Sequence, residues 1–459
     1  MYNCGPTVYN FAHIGNLRAF VFADTIRRSL EWNGYRVQQV INITDVGHLV
    51  SDGDDGEDKM VVGATREGKS IEEIIAEYSD AFYDDLEALN VLAAVDRGKE
   101  DSSPRATHHI SEQITLINRL NEKGYTYTTS DGIYFDTSKF PAYPDFARLD
   151  VVGMQAGVRV DLGEKKNSTD FALWKFSPSD GVQREQEWDS PLGIDRKGFP
   201  GWHLECSAMA MEYLGETIDI HTGGIDHIPV HHTNEIAQSE CATGKTFARY
   251  WMHSAFMNVD GQKMSKSLGN TYTLKDLVKF AHRGTSASAF RYWLLNAHYR
   301  TLMNFSQDAF SGAEDAYASL LNKIINLSTV IGTLNTVYMD RFTQSINNDL
   351  DTHSAITLMW DLIKDDTVSN PDKLATIFKF DEVFGLKLRE RFDFTLGGRM
   401  PLDIHLLRDQ NPTVHQLYVD RQHARNEKNW AESDRLRDEI AKLGYGVKDT
   451  PEGQVLSKL

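Results

Sequence analysis

Only three cysteines occur in the 459 residues. Cys4, Cys206 and Cys241 cannot build a disulfide framework, which excludes the small stapled secreted folds and points to a reducing, cytoplasmic setting. No uncharged apolar run approaches the roughly 18 residues that a membrane-spanning helix needs, so no membrane association is expected. The opening Met1-Tyr2-Asn3-Cys4-Gly5-Pro6 has no basic stretch followed by an apolar one, and no secretory leader is expected. Repeats and low-complexity segments are absent. Basic side chains are also in deficit: 48 Lys and Arg face 66 Asp and Glu, a net charge of −18. Taken whole, that balance argues against a polyanionic partner.

The deficit is uneven. Residues 51–100 carry 15 acidic and 5 basic side chains, more than half of the net charge, whereas residues 413–459 carry 8 of each. The global charge therefore says little about any one face. Apolar residues at 41% and charged residues at 25% fit folded domains and exclude disorder as the main state. At about 150 residues per domain the length suggests about three.

The first 50 residues alternate element types. A strand reaching Cys4-Gly5-Pro6-Thr7 is followed by a helical pattern from about His13 to Asn33 and, after Gly34, by a strand over Tyr35 to Ile43. Strand, helix, strand in so short a span predicts a βαβ unit and a parallel sheet. Helices are expected over 70–92 and 107–124, the second stopped by Gly124. A Gly-, Pro- and aromatic-rich stretch over 125–200, with a strand at Gly132-Ile133-Tyr134-Phe135, reads as an insertion. Helix then strand returns over 202–220. Beyond 307 the pattern is helical, with helices expected over Ala313–Val337 and Ser354–Asp365. A single amphipathic stretch is expected over 413–443, with Leu417, Ala424, Leu436, Ile440 and Leu443 as its stripe and Gly444 as its end.

Two segments suit phosphate. His13-Ile14-Gly15-Asn16 lies where a strand gives way to a helix, whose free N–H groups and positive dipole end attract anions. Gly15 allows close backbone approach, and His13 and Asn16 share a helix face as donors. Lys263-Met264-Ser265-Lys266-Ser267 places two ammonium groups within four residues, able to follow charge on a triphosphate. A short chance match and a solvated Lys-Ser loop are the bland readings of each. Cys4, Cys206, His231 and Glu235 form a plausible Zn²⁺ set, the last two at i, i+4 on one helical face. His232, at i, i+3 from Glu235, is a rival ligand. From spacing alone, unrelated buried cysteines and a surface His–Glu pair are the simpler reading.

Together with Asn42-Ile43-Thr44-Asp45-Val46, Asp170-Phe171-Ala172-Leu173-Trp174-Lys175, Gly201-Trp202-His203-Leu204-Glu205-Cys206-Ser207 and His231-His232-Thr233-Asn234-Glu235, these segments resemble the cysteinyl-tRNA synthetases, class I aminoacyl-tRNA synthetases. The resemblance runs from residue 1 to Thr450-Pro451-Glu452-Gly453. It implies an α/β fold: a Rossmann-like parallel-sheet catalytic domain (1–95 and 200–250) with an inserted connective subdomain (96–199), a stem-contact region with the lysine loop (251–306), a helical bundle (307–410) and a small C-terminal anticodon-binding domain (411–459).

The resemblance also implies an activity: ATP-dependent activation of L-cysteine and transfer to tRNA(Cys). One Zn²⁺ per chain on Cys4, Cys206, His231 and Glu235 would select the thiolate, and Mg²⁺ would accompany ATP. His13, Asn16, Lys263 and Lys266 would be catalytic. Gly15, His221, Gly223 and Gly224 would join them around ATP. Gly5, Thr44, Trp202 and Asp226 would hold cysteine, with plain core and a turn as the alternatives for Trp202 and Asp226. Trp430, Asp434 and Arg437 would meet the anticodon, with helix packing as the alternative for Trp430. Cys241 matches no ligand and reads as a small apolar residue. The chain would act as a monomer.

This sequence departs from the family pattern at four places: only three residues precede Cys4, Asn16 stands where His is commonest, Gly47-His48-Leu49 precedes an acidic loop of unassigned role (51–58), and His227 and Ile228 stand where Leu and, further on, an aromatic are usual. The nearest rival activity, a ligase joining activated cysteine to an amino-sugar, needs no tail like 413–459. A non-catalytic paralogue needs no Lys263–Ser267 loop.

Overall fold

The computed structural model describes residues 1–47, 59–149, 163–177, 184–265, 268–281, 286–396, 411–450 and 453–458. The acidic loop 51–58 and Lys266 lie outside them. Two compact units emerge. The first comprises Met1–Ala12, Val37–Tyr83 and Val95–Phe256; the second comprises His13–Arg36, Asp84–Ala94 and Met257–Leu459.

A four-stranded parallel sheet organises the first unit, in the order Val40–Ile41, Tyr2–Asn3, Ile218–Gly224, Ala248–Ser254. Chain order reverses direction at Tyr2–Asn3, and ligands of such sheets bind beyond the carboxyl ends of the strands at that switch. Cys4, Thr44 and His221–Gly224 all fall there. The strand expected over Tyr35–Ile43 is only Val40–Ile41. Its partner offers two residues, Tyr2 and Asn3, so the ladder has nothing further to pair with. The first strand likewise ends at Asn3, with Thr7 making an isolated bridge to Thr44.

A second, antiparallel sheet in this unit runs Thr126–Thr128, Gly132–Phe135, Phe171–Phe176, Lys197–Pro200, Trp188–Asp189. Its apolar face, with Phe135, Phe171 and Trp174, packs on Leu116, Ile117 and Leu120 of the helix Ile110–Glu122. Leu204, Ala237, Cys241 and Ala242 join the same core. The sheet of the expected insertion thus shares its core with the segments on either side of the next parallel strand. Cys241 sits here as an apolar residue, and burial pushes its thiol up to about 11.

The second unit is mainly helical. The helix Ile14–Trp32 starts with a reciprocal cap: His13 Nδ1 accepts from Asn16 N–H (3.1 Å) and Asn16 Oδ1 accepts from His13 N–H (3.2 Å). A small sheet, Gln262–Lys263, Met257–Val259 and Met303–Phe305, carries the lysine segment. The helix expected over Ala313–Val337 is two, Gln307–Ile325 and Thr336–Asn347, because turn and cap residues intervene. Asn335 caps the second by accepting from Tyr338 N–H, and a Cβ on Gly332 would stand 2.3 Å from Asp372 Oδ1.

The single amphipathic stretch expected over 413–443 is also two helices, Pro412–Asn426 and Trp430–Lys442, broken where Lys428 takes φ 59°. A hairpin follows, Tyr445–Thr450 with Gly453–Lys458, which no expectation covered. Ala424, Leu436 and Ile440 of the stripe are buried and Leu417 is half-buried, but Leu443 is exposed. Among the described residues no helix is long and apolar enough to cross a membrane.

Candidate active site and metal centre

In the first unit the chain brings Cys4, Cys206, His231 and Glu235 together from three separate segments, with one donor atom of each within 4.8 Å of the others. Cys4 follows the first strand, and Cys206 lies on the helix Trp202–Leu214. His231 closes a short wide-turned helix, Ile228–His232, that runs into the helix Thr233–Thr243 bearing Glu235. His231 Nε2 is 3.1 Å and Cys4 Sγ 3.6 Å from Glu235 Oε1. His231 turns its other nitrogen, Nδ1, to His203 Nδ1 at 2.8 Å, the kind of support that orients a ligand imidazole.

Electrostatics suit cation binding. Burial raises Cys4, whereas a hydrogen bond from Cys4 outweighs burial at Cys206 and lowers it to about 7. Burial would depress His231, yet the Glu235 carboxylate and Cys206 hold it up at about 10. Glu235 stays well below the usual carboxylate range because His221 and His231 outweigh its burial. Two sulfurs, an imidazole and a carboxylate with excess negative charge are a donor set for a borderline-soft dication, whose arrival would displace these protons.

His232, the rival ligand by its spacing, joins a second group with Cys4, His221 and Glu235. Its Nε2 is 3.5 Å from Cys4 Sγ, and its Nδ1 meets His253 Nε2 at 2.8 Å. His221 is fully buried. It stacks on Trp251 and places Nε2 3.0 Å from Glu235 Oε2. The structure therefore sets His221 against Glu235.

The residues expected around the amino acid surround the same group. A Cβ on Gly5 would stand 1.5 Å from Asn42 O. Gly5 N–H donates to Asn42 Oδ1 (2.8 Å), and Asn42 Nδ2 donates to the buried Thr44 hydroxyl (3.0 Å). Trp202 lies on His231, ring centroids 4.5 Å apart. Asp226 is exposed, its carboxylate where a Cβ of Gly224 would be. Gly223 is crossed by the rings of His227 and His232. Sequence reasoning missed Asn42, His203 and His253. Asn42 had a signal: one amide in the apolar run Val40-Ile41-Asn42-Ile43, fully buried.

Within the second unit the two phosphate-type segments meet. A Cβ on Gly15 would stand 2.4 Å from the Met264 methyl, and Ile14 N–H donates to Tyr272 O (2.8 Å). Gly15 thus admits Met264 itself. Asn270 ties the lysine segment, accepting from Ser265 N–H (2.8 Å) and donating to Lys263 O (3.2 Å). In the tail, Trp430 is 56% exposed with the Arg425 guanidinium 5.8 Å from its ring, and Asp434 pairs with Arg437 at 3.0 Å.

Residues 1–315 match the family model for the tRNA synthetases class I (C) catalytic domain, and residues 407–455 that for the cysteinyl-tRNA ligase anticodon binding domain. "Cysteine–tRNA ligase 1" of Burkholderia lata is 48% identical over 457 residues, covering 99% of this chain and 92% of the relative. The cysteine–tRNA ligase of Treponema denticola is 39% identical over 475 residues, covering 98% and 93%. Among solved structures, methionyl-tRNA synthetase of Mycobacterium tuberculosis bound by methionyl-adenylate aligns with a TM-score of 0.54 at 16% identity, covering 94% of this chain and 96% of that one, a likeness of fold. From its first strand to its C-terminal hairpin, the chain belongs to the cysteine–tRNA ligases, a family of class I aminoacyl-tRNA synthetases.

Proposed function

We propose that this protein activates L-cysteine with ATP and transfers it to the 3′ end of tRNA(Cys), choosing cysteine through a zinc ion on Cys4, Cys206, His231 and Glu235. The observation that carries this reading is the convergence of those four donors beside Gly5, Thr44 and Trp202. Bound Zn²⁺ supplies a soft Lewis acid that prefers a thiolate to a neutral hydroxyl, a distinction shape alone makes poorly.

The chain's own residues do the rest. Trp202 walls the side-chain pocket, Thr44 and Gly5 line it, and Asp226 takes the α-amino group. The cysteine carboxylate attacks the α-phosphorus of Mg²⁺-bound ATP, and pyrophosphate leaves. His13 and Asn16, held in a reciprocal helix cap through His13 Nδ1 and Asn16 Oδ1, contact the phosphates. Lys263 and Lys266 stabilise the charge that develops there. His221, Gly223 and Gly224 shape the adenosine pocket, and His221 also holds Glu235. The terminal tRNA hydroxyl then attacks the acyl carbon and AMP leaves. Trp430, Asp434 and Arg437 read the anticodon by stacking and hydrogen bonding. The setting is cytoplasmic and the working unit a monomer.

ATP–pyrophosphate exchange with each amino acid, with and without a zinc chelator, tests this, followed by tRNA charging. Exchange with cysteine alone, abolished by the chelator, and charging of tRNA(Cys) are expected. Equal exchange with serine, or exchange indifferent to the chelator, contradicts the zinc reading. Lys266→Ala should slow exchange by ~100-fold without loss of zinc.

A further inference from the structure

In the second unit, one short stretch, Tyr299 to Phe305, touches both phosphate-type segments. Its first end lies on the helix Ile14–Trp32. Arg18, buried in that helix, donates from Nη2 to Tyr299 O (3.2 Å) and to Thr301 O (2.6 Å). The Tyr299 ring stacks on Phe22 of the same helix, centroids 4.5 Å apart. Bonds from a guanidinium are charge-assisted and stronger than neutral ones.

Its other end holds the lysine segment. Met303–Phe305 pairs with Met257–Val259, which turns back into Gln262–Lys263. That turn is Asp260 and Gly261 at φ 48° and 77°, the left-handed pair of a tight two-residue hairpin. Both of its N–H groups go to the stretch: Asp260 N–H donates to Phe305 O (2.9 Å) and Gly261 N–H to Asn304 Oδ1 (2.6 Å). The Phe305 ring also packs on Tyr272, centroids 5.8 Å apart, and Tyr272 O accepts from Ile14 N–H. The contacts thus return to the first turn of the helix from which Arg18 departs.

We propose that Tyr299 to Phe305 is a brace that sets the lysine segment against His13, with Arg18 and Asn304 as its positioning residues. The proposal rests on the activation chemistry given above. A two-stranded hairpin is marginal by itself, so Met257–Val259 with Gln262–Lys263 needs the third strand to hold one position. Lys263 sits on the last residue of that hairpin, at the end of a long flexible stem. Its ammonium is therefore placed only as well as the backbone beneath it, and misplacing a catalytic group by about 1 Å costs up to ~100-fold in rate. Neither Arg18 nor Asn304 has to touch substrate to act in this way.

The test uses the full-length protein and separates the two steps. ATP–pyrophosphate exchange with cysteine reports activation; transfer to tRNA(Cys) from isolated enzyme-bound cysteinyl-adenylate reports the second step, in which no pyrophosphate leaves. Asn304→Ala should lower kcat for exchange about 10-fold and leave KM for cysteine and the transfer rate within about twofold of wild type. Asn304→Asp keeps an acceptor for Gly261 N–H and should restore exchange. Arg18→Met releases the other end and should slow exchange to a similar degree. Because both act through one brace, the double variant should be no slower than the slower single, whereas independent losses would multiply to about 100-fold. Wild-type exchange in Asn304→Ala, equal losses in exchange and transfer, or losses that multiply overturn the brace. Asn304 is exposed, so its two variants decide the matter even where Arg18→Met does not fold. No exchange with cysteine in wild type overturns the activation reading instead, a different result.

Discussion

A methyl group on Gly5 would stand 1.5 Å from a backbone oxygen of Asn42, whereas one on Gly15 would meet the flexible end of Met264 at 2.4 Å. The two glycines therefore answer differently to the same change. Gly5→Ala must push one backbone off another and should cost about 3 kcal/mol or more. Gly15→Ala should cost little stability, because Met264 can turn away, but should slow adenylate formation by displacing the lysine segment. Denaturant midpoints and pyrophosphate exchange separate the two; equal losses of stability would contradict the contact each glycine makes.

At this scale the metal set is legible only through the family's motifs. Cys4 and Cys206 lie about 200 residues apart, and no local spacing announces that a parallel sheet unites them. The rings behind His231 and His232, those of His203 and His253, carry no sequence signal of these contacts, since each contact is tertiary. The resemblance gives His221 a place around ATP, but nothing in the local sequence announces its contact with Glu235 Oε2.

Elements are most legible where one period runs unbroken. The helices Ile14–Trp32, Ile110–Glu122 and Thr352–Lys364 sit close to where the apolar pattern predicts. Two longer patterns split, each where the backbone must leave the helix for a reason the period does not contain. In the tail that reason is Lys428, held at φ 59° between two helices. A side chain there costs on the order of 1 kcal/mol that glycine avoids. Lys428→Gly should therefore raise the stability of the C-terminal helical pair by about 0.5–1 kcal/mol, read as slower amide exchange over 412–442. Unchanged or faster exchange would contradict the left-handed break. The first strands fall short of their pattern for the opposite reason: an extended-looking segment becomes a strand only as far as its partner reaches.

At the scale of the molecule, the net charge of −18 speaks at first against nucleic acid, yet the matched anticodon-binding segment lies in the near-neutral tail. Stability in the second unit gathers on one buried carboxylate. Asp24 accepts from Arg28 Nε (2.7 Å), from Leu92 N–H (2.7 Å) and from Arg291, whose other nitrogens reach Phe384 O (2.6 Å) and Leu89 O (2.8 Å). Burial would raise Asp24, but Arg291 and Arg28 hold it below the usual carboxylate range. A depressed folded value means stability that is fully present above the ordinary carboxylate pKa of about 3.9 and lost as pH falls through the folded value. Asp24→Asn should cost about 3–5 kcal/mol at pH 7, and the gap to wild type should narrow below about pH 4. A gap independent of pH would show that the charge on Asp24 does not matter.

The substrate's own sulfur becoming a zinc ligand is the central claim. Zinc-edge X-ray absorption on protein loaded with one equivalent of zinc tests it most directly. Cys4 and Cys206 predict about two sulfurs around zinc in the free protein, rising to about three on adding cysteine and unchanged on adding serine. A sulfur count that stays the same with saturating cysteine would contradict selection through the metal.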